Sequence, residues 1–237
     1  MCVRYVRGCT ALDYVAPLMS RRAAGLAHDF LPSWNVVPGT RQPVIGPAGV
    51  VRRLCWGVPS HGAPETHLVP GRRMRTIVDA STGHVGSAAL QEVWARGRVI
   101  VPADGWFEWR PDAHGRQPYF ICRSDREPVF MAALVMNARD IAADGTGGTQ
   151  DGERFMLVAA AVRAGVVDLH GRQPVVLATP DARAWLDGGR SASSALRLAQ
   201  SCALNSDAFD CFPVSSAVNE PGGGDGPRLI ERVATRM

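Results

Sequence analysis

Short apolar runs alternate with Pro- and Gly-bearing turns along most of this chain, a pattern that predicts strands. Candidate strands fall at Val36–Val37, Gln42–Ile45, Val50–Leu54, Arg98–Pro102, Trp106–Trp109, Tyr119–Cys122, Val129–Leu134, Phe155–Val162 and Val175–Leu177. Helical spacing occurs at Thr10–Met19, Ala88–Ala95 and Thr179–Trp185. In the last of these Thr179 is placed to cap, Pro180 to take the first helical position and Asp181 to complement the helix dipole. The Gly- and Asp-rich stretch Asp140–Glu153 predicts a hairpin loop, and Asn219–Pro227 a Gly-rich connector. There is no internal repeat. Many strands with a few short helices predict an α+β fold: a strand-rich curled mixed sheet or partial barrel with peripheral helices, as a single domain over residues 1–237.

Composition sharpens this picture at one point. With 46% hydrophobic and 20% charged residues the chain has a globular rather than a disordered profile. A formal charge of +4 is a weak argument for a nucleic-acid partner. All 26 basic residues, however, are arginine, so the chain terminus carries the sole primary amine of this sequence. A base composition favouring arginine codons accounts for that bias without any functional cause, but the chemical consequence stands. The six cysteines form no CxxC pair and no Cys/His spacing of the zinc type, which predicts neither metal nor cofactor. No secretory or lipidation pattern surrounds the start, and no apolar run is longer than Phe155–Val162, which is far short of a membrane span. Free thiols then fit a reducing cytoplasm, with no membrane partner.

Four segments and the chain start carry candidate chemistry. In Met1-Cys2-Val3-Arg4, loss of Met1 exposes a 1,2-aminothiol. An α-amine has a pKa of about 7.7–8.0 against about 10.4 for lysine, so a useful fraction is neutral near pH 7 and able to attack an aldehyde. The adjacent thiol can then close a five-membered ring. Asn35 precedes the Pro38-Gly39 turn, and Trp56 stands beside Gly57, which permits close backbone approach. Trp106-Phe107-Glu108-Trp109 sets a carboxylate among aromatic rings, where its pKa should rise toward neutrality. His170-Gly171-Arg172 offers an imidazole and a guanidinium at a turn entering an apolar strand. Each has a plainer reading: Trp56 and Trp106 as core residues, His170 as a turn histidine, Glu108 as a surface charge.

In this order the segments resemble the SRAP family, the SOS-response-associated peptidase proteins that include abasic-site processing proteins of bacteria and animals. The family's Met-Cys-Gly-Arg, Tyr-Asn-Ile-Ala-Pro-Thr, Trp-Gly-Leu-Ile-Pro, Pro-Ala-Asp-Gly-Phe-Tyr-Glu-Trp, His-Asp-Arg-Met-Pro-Val-Ile-Leu and Pro-Val-Ser-x-x-Val-Asn all have counterparts between Cys2 and Asn219. The resemblance implies a covalent thiazolidine crosslink to abasic sites in single-stranded DNA, with AP-lyase and self-processing peptidase activity alongside. It implies Cys2 as nucleophile, with Glu108 and His170 as catalytic partners. Arg4 and Arg172 are implied as phosphate ligands, and Asn35, Pro38, Trp56, Asp79 and Trp106 as further members of a DNA-binding set. A monomer that is cytoplasmic, and nucleoid-associated when bound, follows from the same reading. Arg52, Arg53, Arg72, Arg73 and Arg75 are looser candidates for the DNA groove or a solvated face.

Besides Gly171 and Gln173, which stand where the family has Asp and Met, three positions depart from the family pattern. Val3 replaces a glycine, and Val78-Asp79-Ala80-Ser81-Thr82 stands where the family has Asn-Ala-Arg-Ala-Glu-Thr. Asp79 thus takes the asparagine's place and Ser81 an arginine's, adding negative charge and removing donors. Two rival functions remain at this level: a diverged, non-catalytic single-strand binder, and an N-terminal-cysteine amide hydrolase that attacks a carbonyl with its own amine as base.

Overall fold

Alternating apolar positions sort the strands into two main sheets that share an interior. The computed structural model describes residues 4–19, 30–59, 76–77, 79–82, 88–112, 115–136, 153–161, 171–220 and 224–234. In chain order the strands are β1 (Tyr5–Arg7), β2 (Ser33–Val36), β3 (Arg41–Ile45), β4 (Val51–Trp56), β5 (Val58–Pro59), β6 (Thr76–Ile77), β7 (Asp79–Ser81) and β8 (Arg98–Ala103). They continue with β9 (Gly105–Asp112), β10 (Gly115–Arg123), β11 (Val129–Met136), β12 (Arg154–Ala161), β13 (Arg172–Pro174), β14 (Val176–Leu177) and β15 (Phe209–Pro213). The helices are α1 (Ala11–Val15), α2 (Ala88–Arg96), α3 (Thr179–Trp185) and α4 (Ala192–Ser201).

One sheet has the order β15-β10-β9-β1-β2, and the other runs β13-β12-β4-β3-β8-β11-β14 with β7 added beside β12. Between them pack Tyr5, Trp106 and Ile121 from the first sheet against Val44, Leu54, Trp56, Phe155 and Leu157 from the second. The second sheet's other face carries Ile45, Ile100, Phe130 and Val158, covered by Tyr14, Trp94, Trp185 and Leu198 of the helices. All eight positions of β11 are buried, as expected for a strand packed on both faces. Arg98 ties the helix layer down: its guanidinium is buried and donates to the carbonyls of Trp94 (2.6 Å), Trp185 (2.8 Å) and Asp187 (2.5 Å), capping the ends of α2 and α3.

Every candidate strand of the sequence overlaps an observed one, and the α+β, strand-rich expectation is met. Ala178, not Thr179, caps α3, and it makes no side-chain cap bond; Thr179 already lies inside the helix. Among the described residues no helix is long and apolar enough to cross a membrane.

Candidate active site

The most constrained strand is β9. A Cβ built on Gly105 would sit 2.3 Å from the Ile121 carbonyl and 2.6 Å from the Phe120 ring, so only glycine lets β9 close on β10. From there the side chains alternate. Trp106 enters the interior between the sheets, Phe107 packs on the outer cluster with Trp109 and Phe120, and Glu108 returns to the inner face. Glu108 is 2% exposed. Burial pushes its carboxyl up to about 7, with the positive charge of the chain's amino terminus acting in the opposite sense. Beside it, the Phe107 N–H donates to the Arg4 carbonyl at 3.0 Å, so the described chain begins next to this carboxyl's strand position.

A second polar feature lies across β12. Asp79 is aligned with Leu157 on one edge of that strand and Arg172 with Ala161 on the other. Arg172 Nη2 reaches Asp79 Oδ2 at 2.8 Å over this small-residue stretch; the aspartate side chain is 3% exposed and the arginine 34%. Leu157 and Ala159 leave the same face of β12, and Leu157 packs between the sheets, so the ion pair stands on the interior side. Gly171, with φ of +66°, makes the left-handed entry into β13.

The remaining expected residues have other surroundings. Trp56 and Trp106 are fully buried: Trp56 contacts Tyr5 (5.1 Å between centroids) and stacks on Phe155, while Trp106 meets Phe209 edge-on at 5.2 Å. Both rings lie in the interior between the sheets, as their plainer reading as core residues has it. Pro38 is buried too, and its turn is knitted to β4 through Gly39 N–H to the Trp56 carbonyl and Trp56 N–H to the Thr40 carbonyl.

Arg4 points to the outer cluster. Its guanidinium donates to Asn35 Oδ1 at 2.9 Å and to the carbonyls of Val218 and Asn219, and stands 5.9 Å from the Trp109 ring centroid. Trp109 Nε1 in turn donates to Asn219 Oδ1 at 2.6 Å. Arg4, Asn35, Trp109 and the Val218-Asn219 segment therefore form one clamp on the start of β1. Within the protein the polar atoms of Arg4 and Asn35 thus already have partners, and both side chains are half-buried.

Cys2, Val3 and His170 lie outside the described residues, as do Val78, Arg72, Arg73, Arg75 and most of Asp140–Glu153. Sequence reasoning missed Asp104, which accepts from the Gly8 N–H and the Tyr14 hydroxyl, each at 2.5 Å, and so fixes the far end of β1. It also missed Tyr119, the β10 residue directly paired with Glu108, and Cys211, which faces Ile121 beside it. The Ala-Asp-Gly block could have flagged Asp104; nothing local marks the other two.

A family model for the SOS response associated peptidases (SRAP) matches residues 1–221. The chain belongs to the SRAP family. Among relatives of this SRAP protein, the abasic site processing protein YedK of Escherichia coli (strain K12) is 32% identical over 238 residues, 98% of this chain and all of that one. A phage-related protein of Bordetella bronchiseptica shares 27% identity with a TM-score of 0.67, over 90% of this chain and 94% of its own. A Bacteroides thetaiotaomicron protein at 17% identity has a TM-score of 0.73 over 98% of this chain and 100% of its own, a likeness of fold alone. Among the described residues no group of histidine, cysteine and acidic side chains is arranged to hold a metal ion.

Proposed function

We propose that this SRAP protein, acting as one domain and as a monomer in the cytoplasm, captures abasic sites in single-stranded DNA through Cys2. The observation that carries the reading is the buried Glu108 carboxyl, held at about 7, on the strand hydrogen-bonded to Arg4. Chain connectivity alone keeps Cys2 within about 7 Å of Arg4. A carboxyl with a pKa near the working pH is the group best suited to move protons there.

The chemistry balances without an oxidant or a cofactor. With Met1 gone, the neutral Cys2 amine adds to the C1′ aldehyde of the ring-opened sugar. Glu108 in its acid form protonates the departing hydroxyl, one water leaves, and an imine remains. The Cys2 thiol adds to the imine carbon while its proton ends on nitrogen, giving a thiazolidine. If a base instead removes a C2′ proton from the imine, the 3′ phosphate is eliminated and the strand is cut, which is the lyase arm. His170, held by connectivity within about 7 Å of Arg172, is assigned to that proton transfer and to reversal. Self-processing then concerns Met1.

A denaturing gel tests this reading: protein mixed with an abasic strand should give a slower, salt-resistant band that an intact strand does not. Absence of that band with a mature Cys2 amine confirmed by mass would overturn it. Turnover of small amides by the same protein would favour the hydrolase instead.

A further inference from the structure

Three arginines stand together on the opposite side of the second sheet from the candidate site. In register, Arg41 on β3 faces Cys55 on β4, and Cys55 faces Arg154 on β12. Arg53 lies two residues before Cys55 and shares its face, whereas Leu54 and Trp56 point into the interior between the sheets. Arg41 and Arg53 are exposed and Arg154 half-buried.

Part of their donor capacity goes to backbone and sulfur. Arg41 Nη1 donates to the Arg53 carbonyl at 3.4 Å and Arg53 Nη2 to the Arg41 carbonyl at 3.3 Å, so the two hold each other across the strand pair. Arg154 Nη1 donates to Cys55 Sγ and to the Gly57 carbonyl, both at 3.3 Å. None of the three forms an ion pair with a carboxylate among the described residues, while the neighbouring Arg52 takes Glu153 at 2.6 Å. Arg41 and Arg154 flank Cys55 from its two neighbouring strands and Arg53 stands two residues along, and a cluster of like charges on one face suits a polyanion. Each guanidinium keeps further N–H donors in the planar fork that matches a phosphate.

We propose that Arg41, Arg53 and Arg154 form a second phosphate-binding surface, for the nucleotides of a single strand that extend past the abasic site. The inference rests on the DNA reading above, because a strand seated at Glu108 must continue over the protein. Since the row lies behind the sheet, only a strand long enough to round its edge reaches it.

The test uses the full-length protein with Arg41→Gln and Arg53→Gln combined, both exposed and both retaining a polar side chain. Affinity is measured against salt for an intact strand of about 6 nucleotides and one of about 30, within and well beyond the span of a single small binding site. The wild-type slope of log affinity on log salt should be steeper for the long strand. In the variant the difference between the two slopes should shrink by about 1.4, at about 0.7 per lost phosphate contact. An unchanged difference, with circular dichroism showing intact fold, overturns the surface and leaves the site reading standing. A wild type that holds neither strand overturns both. Loss of polyglutamate binding without change on DNA would reassign the patch to an acidic protein and so overturn the proposal.

Discussion

Arg172 Nη2 lies 2.8 Å from Asp79 Oδ2, reaching across β12 to a carboxylate that is almost wholly buried. An arginine so paired has its charge compensated, and phosphate that binds it displaces few counterions. Asp79→Asn removes the compensation and keeps the shape. We expect tighter single-strand binding with a salt slope steeper by about 0.7. Arg172→Gln should change the slope little in the native background and cancel the increase in the Asp79→Asn background, a coupling that a double-mutant cycle reads directly. Equal effects of Arg172→Gln in both backgrounds would show that the pair does not govern its charge.

Glu108 sets the pH dependence. Its carboxyl titrates near 7 in the folded protein, above the ordinary value of 4.5, so between these two values the native state keeps a proton that the unfolded chain has released. Its contribution to stability is present in full below about pH 4.5 and lost as pH rises through about 7, on the order of 3 kcal/mol. Glu108→Gln should therefore flatten the denaturation midpoint across that window and make the protein relatively more stable at pH 8. Crosslinking by the same variant should slow and lose its inflection near pH 7.

The two buried tryptophans belong to the scaffold. Trp56→Ala and Trp106→Ala should each destabilise the protein by about 3–5 kcal/mol, measured by urea unfolding. A stable variant that had lost only DNA affinity would instead make either ring a stacking surface.

Legibility in the sequence followed the range of the interaction. The alternation Trp106, Phe107, Glu108 made β9 readable, and the buried carboxyl with it, because a strand of period two shows its own faces. The clamp on Arg4 was not readable, since its acceptor at Val218 is 214 residues away. The same holds for Asp79 and Arg172, whose meeting depends on both flanking β12; each alone read as a DNA ligand. Helix α4 was missed because its first turn is serine-rich, yet Ser191 caps it by accepting from the Ser194 N–H. The three-residue β1 and β13 are too short to show a period and exist through their partners.

Arg4 is expected to act by position. Arg4→Met breaks its bonds to Asn35, Val218 and Asn219 while keeping the bulk over Trp109. Crosslinking should slow because the start of β1 loosens beside Glu108, with the salt slope of single-strand binding unchanged. A slope shallower by about 0.7 would return Arg4 to the phosphate ligands.

Borohydride trapping on an abasic strand tests the central claim most directly. This sequence contains no lysine, so the α-amine is its one primary amine and the only group able to form a reducible imine. The native protein should give a trapped adduct mapping to residue 2, and a reductant-independent one through the thiazolidine. Cys2→Ala should give only the trapped form. Acetylating the terminus, or leaving a tag ahead of Cys2, should abolish both. Trapping that persists on a blocked terminus would contradict the account, because no second amine exists to explain it.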